Sequence, residues 1–199
     1  MTKQVIAIDV DDVLALNAHA FTAYSNKHYG TNLHWSDYRD EWNKLWDVDH
    51  ATIAQRGLEF HDSGAIAEYE HIAEALPVLQ ELKERYSLVV ITSRRKRIYQ
   101  VTLDWIEKYF PNIFDEIHFA GIFDDYKESS YTETKLDMCR SVGASYLIDD
   151  LTKHCFAAAD GGIKAILFGD YKWNQADVLP EGVTRCNDWQ AVREYFDAK

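Results

Sequence analysis

The chain is short of several things, and each shortage removes a class of protein. It has three cysteines in 199 residues, Cys139, Cys155 and Cys186. They are odd in number, far apart and in no metal-ligand spacing, which excludes a disulfide framework or a zinc site and fits a reduced, cytoplasmic setting. No apolar run approaches the roughly 20 residues needed to span a bilayer, and the N-terminus runs straight into a strand pattern rather than a cleavable leader. Positive charge is scarce: 21 Lys and Arg against 33 Asp and Glu give a net charge of −12. That balance argues against a polynucleotide partner, whose phosphates call for Lys and Arg, and against docking on an anionic membrane. Repeats and low-complexity segments are absent as well.

What is present reads as one soluble globular fold, with 47% hydrophobic and 27% charged residues. Short apolar runs recur, and helical patterns follow them. The strand candidates are Gln4 to Asp9, Leu88 to Thr92, a weaker Glu116 to Ala120, Ser145 to Asp149 and Lys164 to Phe168. Helix candidates run from Glu74 to Tyr86, Arg97 to Tyr109, Thr132 to Val142 (stopped by Gly143) and Trp189 to Phe196 (capped by Asp188). Strands alternating with helices predict an α/β fold, a doubly wound parallel sheet. Residues 15–72 break the rhythm: they hold no convincing strand and are rich in Trp, Tyr and Phe. They predict a small helical cap inserted after the first strand, with 1–14 and 73–199 forming the core. An insertion leaving the sheet at that point would sit over the strand ends as a lid.

The most informative stretch is Val5-Ile6-Ala7-Ile8-Asp9-Val10-Asp11-Asp12-Val13-Leu14. A continuous apolar run marks a strand covered on both faces, and it ends in three carboxylates. Ligands of open α/β sheets bind at the C-terminal strand ends. Like charges packed so closely are stable together mainly around a cation. Three further features fall at the same end of the sheet: Thr92-Ser93, Lys135 and Asp149-Asp150. Asp9 and Asp11 converge on one ligand only if the chain turns after Asp9, because a continuing strand would point them to opposite faces.

These residue types suit phosphoryl transfer. Mg2+ takes oxygen ligands from one or two carboxylates plus phosphate oxygens and water, and Asp9 and Asp149 can supply the carboxylates. Asp9 can then attack phosphorus, and Asp11 can protonate the leaving alkoxide. Thr92 and Ser93 can bind the equatorial oxygens, while Lys135 neutralises developing charge. Lys127 competes for that last role but lies farther from the fourth strand. Arg94, in the run Arg94-Arg95-Lys96-Arg97, sits where a cation opposes the helix dipole, which favours a part in attracting the anion.

In order, spacing and strand context these motifs resemble the haloacid dehalogenase (HAD) superfamily of phosphotransferases. They span residues 5 to 150. The resemblance implies Asp9 as nucleophile and Asp11 as general acid and base. It also implies Mg2+ held by Asp9, the backbone carbonyl of Asp11, and the pair Asp149 and Asp150. Within the superfamily the chain is most similar to the 5'(3')-deoxyribonucleotidase-like branch, through Asp9-Val10-Asp11-Asp12-Val13-Leu14-Ala15, Ile91-Thr92-Ser93 and the aromatic cap. It departs from that branch at Asp12, where Gly is usual, and at Arg94-Arg95 after Ser93. The expected substrate is a small phosphorylated metabolite, foremost a nucleoside monophosphate. The rival readings are a phosphatase of sugar phosphates and a non-catalytic phosphate-binding protein. A carbon–halogen hydrolase would not need Asp11. Cap aromatics such as Phe21, Tyr24 and Trp46 are candidates either for the cap's own core or for stacking on a base.

Overall fold

In a computed structural model that describes residues 3–39, 41–119 and 134–199, six strands form one parallel sheet in the order β3-β2-β1-β4-β5-β6. They are β1 (Val5–Ile8), β2 (Ser87–Thr92), β3 (Glu116–Phe119), β4 (Ala144–Asp149), β5 (Lys164–Phe168) and β6 (Val183–Cys186). The helices are α1 (Asn17–Tyr29), α2 (Trp42–Trp46), α3 (His50–Asp62), α4 (Ala75–Arg85), α5 (Tyr99–Tyr109), α6 (Lys135–Ser141), α7 (Thr152–Asp160) and α8 (Trp189–Asp197). The α/β doubly wound expectation therefore holds. The sixth strand is an addition to the five expected: four residues at the sheet edge, carrying Thr184 and Arg185, give too short and too polar a run to stand out. Ala120, Lys127 and the first two residues of the helix expected from Thr132 lie outside the described residues.

Alternation within each strand divides the core between the two faces of the sheet. Ile6, Ile8, Leu88, Val90, Tyr146, Ile148, Ile166 and Phe168 face a cluster shared with α4, α5 and α8, including Leu79, Trp105 and Trp189. Ala7, Val89, Ile91, Leu147, Ala165 and Leu167 face the opposite cluster, shared with Met138 and Cys139 of α6 and Cys155 and Ala158 of α7. Every central strand is covered on both sides, which is why its sequence reads as an unbroken apolar run. All three cysteines are free and buried.

Residues 15–72 contain α1, α2, α3 and two short 3-10 turns, Trp35–Asp37 and Ala65–Glu68. Phe21 gathers them: its ring lies 4.8 Å from Trp42, 5.2 Å from Trp46, 5.0 Å from Phe60 and 5.4 Å from Tyr38. At 1% and 6% exposure, Phe21 and Trp46 are core residues, whereas Tyr24 is only half buried. This cluster is continuous with the core on the β1 face, so the helical segment shares an apolar interior with the sheet. Isolated bridges from Ala15 to Asp11 and to His71 tie its two ends together.

Candidate active site

The strand β1 stops at Ile8, one residue earlier than the apolar run suggests, and the chain turns at once. Asp9 still donates its N–H to the Ile148 carbonyl at 2.9 Å, which keeps it in line with the sheet. In the β1–β4 register Ile8 stands opposite Ile148, so Asp9 comes level with Asp149 across adjacent strands. From Val10 the backbone coils into a tight loop. The Leu14 and Ala15 amides donate to the Val10 carbonyl at 2.8 and 2.9 Å, and the Asp12 amide donates to the Ala15 carbonyl at 2.8 Å. The turn needed for Asp9 and Asp11 to escape strand alternation is thus present.

Asp12 occupies the left-handed region, at φ 56°. Only Gly adopts that conformation freely, with Asn and Asp next, which accounts for Gly being usual at this position in the branch the sequence resembles. Here the side chain also has work. Asp12 Oδ1 accepts from the Ala18 amide at 2.9 Å and Oδ2 from Asn17 Nδ2 at 3.2 Å, so it caps the start of α1. Leu16, the residue that precedes the helix, offers no side-chain cap. Tyr69 completes the arrangement by donating its hydroxyl to Asn17 Oδ1 at 3.0 Å.

The structure brings Asp9, Asp149 and Asp150 together. One carboxylate oxygen from each lies within 4.8 Å of the others, and all three residues are buried. Lys135, at the first position of α6, enters the cluster from the side. Its Nζ lies 2.9 Å from Asp9 Oδ1 and donates to Asp149 Oδ2 at 2.6 Å. Thr134 caps that helix, accepting from the Asp137 amide at 3.1 Å, and so fixes where Lys135 emerges.

Charge in this cluster is unbalanced. Burial pushes the Asp9 carboxyl up to about 7; Lys135 opposes the shift, while Asp149 and Asp11 add to it. Burial, then Asp149, Asp12 and Asp9, hold Asp150 well above the usual carboxylate range. Burial also acts upward on Asp149, but Lys135, His154 and the hydrogen bonds from Lys135 and the Leu151 amide together keep it low. The neighbouring anions raise the Lys135 ammonium pKa against the effect of its own burial. Three buried carboxylates, two of them paired to Lys135, form an oxygen-donor set that suits a hard divalent cation.

Thr92 ends β2 and is fully buried; its Oγ1 accepts the Arg94 amide at 3.2 Å. The Ser93 hydroxyl oxygen is buried with no hydrogen-bond partner among the described residues. Arg94, expected to help bind the phosphate, grips Asp11. Its Nη2 lies 2.7 Å from Asp11 Oδ1, with Nε 3.2 and 3.1 Å from the two oxygens. Nη1 donates to Thr102 Oγ1 at 3.2 Å, and the guanidinium lies over the rings of Tyr69 and Trp105.

Three residues near the site escaped sequence reasoning. Trp173 donates its indole N–H to Asp150 Oδ2 at 2.7 Å. Tyr171 donates its hydroxyl to the Asp12 carbonyl at 2.9 Å. His61, at the end of α3, has a buried Nδ1 without a hydrogen-bond partner among the described residues, and burial and Arg95 push its ring pKa down to about 4. No local signal marks them, since packing brings each to the site from a distant part of the chain.

A family model described as "5' nucleotidase, deoxy (Pyrimidine), cytosolic type C protein" matches residues 3–199. A protein of Staphylococcus epidermidis described as "Putative 5'(3')-deoxyribonucleotidase" is 25% identical over 200 residues, covering 100% of this chain and 98% of that one. Among solved structures, a haloacid dehalogenase-like hydrolase from Streptococcus pneumoniae superposes with a TM-score of 0.72 at 17% identity, covering 98% of each chain. A "putative HAD-hydrolase" from Bacillus subtilis "bound to magnesium" gives 0.64 at 12% identity, covering 99% of this chain and 100% of that one. Among the described residues, no helix is long and apolar enough to cross a membrane.

Proposed function

The chain belongs to the 5' nucleotidase, deoxy (Pyrimidine), cytosolic type C family of HAD phosphomonoesterases, and on that premise we propose that it hydrolyses nucleoside monophosphates, deoxy forms foremost, through a phosphoryl intermediate on Asp9. The observation that carries this reading is the meeting of Asp9, Lys135, Asp149 and Asp150 in one buried cluster at the carboxyl ends of β1 and β4. The spare Ser93 hydroxyl stands beyond the end of β2, the neighbouring strand.

Asp9, Asp149 and Asp150 would hold Mg2+ through their carboxylates, with the Asp11 carbonyl as a further ligand. When bound, the cation would offset the negative charge of the cluster and polarise the phosphate. Asp9 attacks phosphorus: a carboxylate O–P bond forms as the ester P–O bond breaks. Asp11 gives its proton to the departing alkoxide. Water then attacks the phosphoryl group on Asp9 and returns a proton to Asp11, releasing phosphate and restoring both carboxyls. Thr92 and Ser93 bind the equatorial oxygens, and Lys135 favours the ionised form of Asp9 and orients it. Arg94 holds Asp11 at its post.

In this reading residues 15–72 are the cap and 1–14 with 73–199 the core. Phe21 and Trp46 belong to the interior of the cap, so a base would meet other cap side chains. The chain's acidity and its small, enclosed cluster favour a small phosphorylated metabolite over a polynucleotide. A phosphate-release assay with Mg2+ across deoxynucleotides, ribonucleotides and sugar phosphates tests the substrate class. Higher kcat/KM on nucleoside monophosphates is expected; equal or better turnover of sugar phosphates contradicts the proposal.

A further inference from the structure

The 3-10 turn Lys172–Asn174 follows β5 and touches both the acidic cluster and the helical segment. Trp173 makes both contacts. Its indole N–H donates to Asp150 Oδ2 at 2.7 Å. Its ring stacks on Tyr171, with centroids 4.4 Å apart and planes 11° off parallel. From the other side, two residues of the segment 15–72 meet it edge-on: Tyr38 at 5.5 Å and 82°, and Trp35 at 6.4 Å and 87°. Trp35 also meets Tyr171 edge-on at 6.5 Å. The geometry is that of offset aromatic packing, which has a preferred orientation and resists sliding.

The turn itself is fixed from below. Asn174 is buried and donates through Nδ2 to the Asp150 carbonyl at 3.0 Å and the Phe168 carbonyl at 2.9 Å. Arg185 of β6 donates to Asn174 Oδ1 at 3.0 Å and to its carbonyl at 2.7 Å. Gly169 lies in the left-handed region at φ 82°, and a Cβ there would run into the Tyr171 ring, so Gly is what lets Tyr171 fold back beneath Trp173. The ion pair from Lys172 to Asp37, at 3.2 Å, also spans the two parts, but both side chains are exposed and such pairs contribute little. The aromatic contact is the joint.

We infer that Trp173 is a positioning residue that aims Asp150 at the cation, and that Trp35 and Tyr38, by holding Trp173, couple the placement of the helical segment to cation affinity. The inference rests on the reading of Asp9, Asp149 and Asp150 as the cation's carboxylates. A carboxylate free to rotate must be ordered on binding, whereas one already hydrogen-bonded is ordered in advance, and partners of metal ligands typically change affinity by about 10- to 100-fold. The coupling is reciprocal: if the aromatic joint favours the cation, the cation must favour the joint.

The test is calorimetric titration of the full chain with Mg2+ alone, for wild type, Trp173→Phe, Tyr38→Ala and the double variant. Thermal unfolding in chelator serves as the control for folding. Wild type is expected to bind Mg2+, Trp173→Phe to bind about tenfold more weakly or worse, and Tyr38→Ala several-fold more weakly. The double variant is expected to be no weaker than Trp173→Phe, because both changes act through one contact. If wild type fails to bind Mg2+, the cation reading of the three carboxylates falls, and this inference with it. If wild type binds and Trp173→Phe or Tyr38→Ala binds equally well, the positioning role or the coupling is overturned while the cation reading stands. Should a variant fail to fold, amide hydrogen exchange on wild type decides. Mg2+ must slow exchange in peptides covering 35–38 and 171–174, and unchanged exchange in either overturns the inference.

Discussion

Arg94 grips Asp11 by both carboxylate oxygens, and the two partners are unequally exposed: 3% for the Arg94 side chain and 30% for that of Asp11. Removing one partner therefore does not have the same effect as removing the other. Asp11→Ala leaves a buried guanidinium that keeps, among the described residues, Thr102 and two aromatic faces, and breaking such a pair costs about 3–5 kcal/mol. Arg94→Met leaves a carboxylate that water can reach and replaces the guanidinium with an apolar chain between Tyr69 and Trp105, so its cost should be smaller. Urea unfolding of the two variants checks the order. Both are expected to lose turnover, Asp11→Ala by about 10²- to 10⁴-fold, as removal of a general acid does.

Asp9 gives the opposite pattern. Its carboxyl is pushed up to about 7 by burial, against about 3.9 in an unfolded chain. Between those values the folded protein holds more protons than the unfolded one, so this group makes stability fall as pH rises from about 4 to 7. Asp9→Asn removes the buried charge without changing the shape. In chelator at pH 8 the variant is expected to unfold at a higher temperature than wild type, and the gap should close as pH falls towards 5. Phosphate release should be abolished. Scanning calorimetry across that pH range makes the check.

Lys135 sets its ammonium between two of the three buried carboxylates, Asp9 and Asp149. Lys135→Met should destabilise the chain by about 3–5 kcal/mol, since it leaves buried charges uncompensated. Added Mg2+ should recover part of that loss, because a ligand bound only by the folded form stabilises it. Comparing unfolding temperatures with Mg2+ and with chelator tests both statements, and equal recovery in wild type and variant would contradict the second.

Asp12 separates backbone from side chain. Asp12→Gly keeps the left-handed turn and loses the cap on α1, for which a loss of a few tenths of a kcal/mol is expected. Asp12→Ala loses the cap and keeps a Cβ in the left-handed region without the polar side chain that helps Asp tolerate it, so it should cost more than Asp12→Gly. Denaturant midpoints of the two variants should therefore fall in the order wild type, Gly, Ala.

The parts of this molecule that sequence revealed are local. A strand covered on both faces is an apolar run, and the carboxylates that end β1 and β4 follow those runs directly, so Asp9, Asp149 and Asp150 could be read as one site before any coordinates. Lys135 was legible because it lies near the start of the helix pattern that precedes the strand carrying Asp149. The side-chain partnerships were not legible. Arg94 and Asp11 are 83 residues apart, and Tyr171 and Asp12 are 159 apart; no spacing rule links such positions. The basic run at 94–97 looked like one feature, yet Arg94 is buried on Asp11 while Arg97 reaches out to Asp62 of α3. The sixth strand was missed because four half-polar residues gain their β-structure from the sheet edge rather than from their own pattern.

The most direct test of the account is to look for the phosphoryl group itself. Wild type, mixed with Mg2+ and a deoxynucleoside monophosphate and quenched in acid during turnover, should carry a covalent phosphoryl group on the peptide containing Asp9, labile to hydroxylamine. The Asp9→Asn variant should carry none. A phosphoryl group on any other residue, or phosphate release from Asp9→Asn at the wild-type rate, would contradict the account.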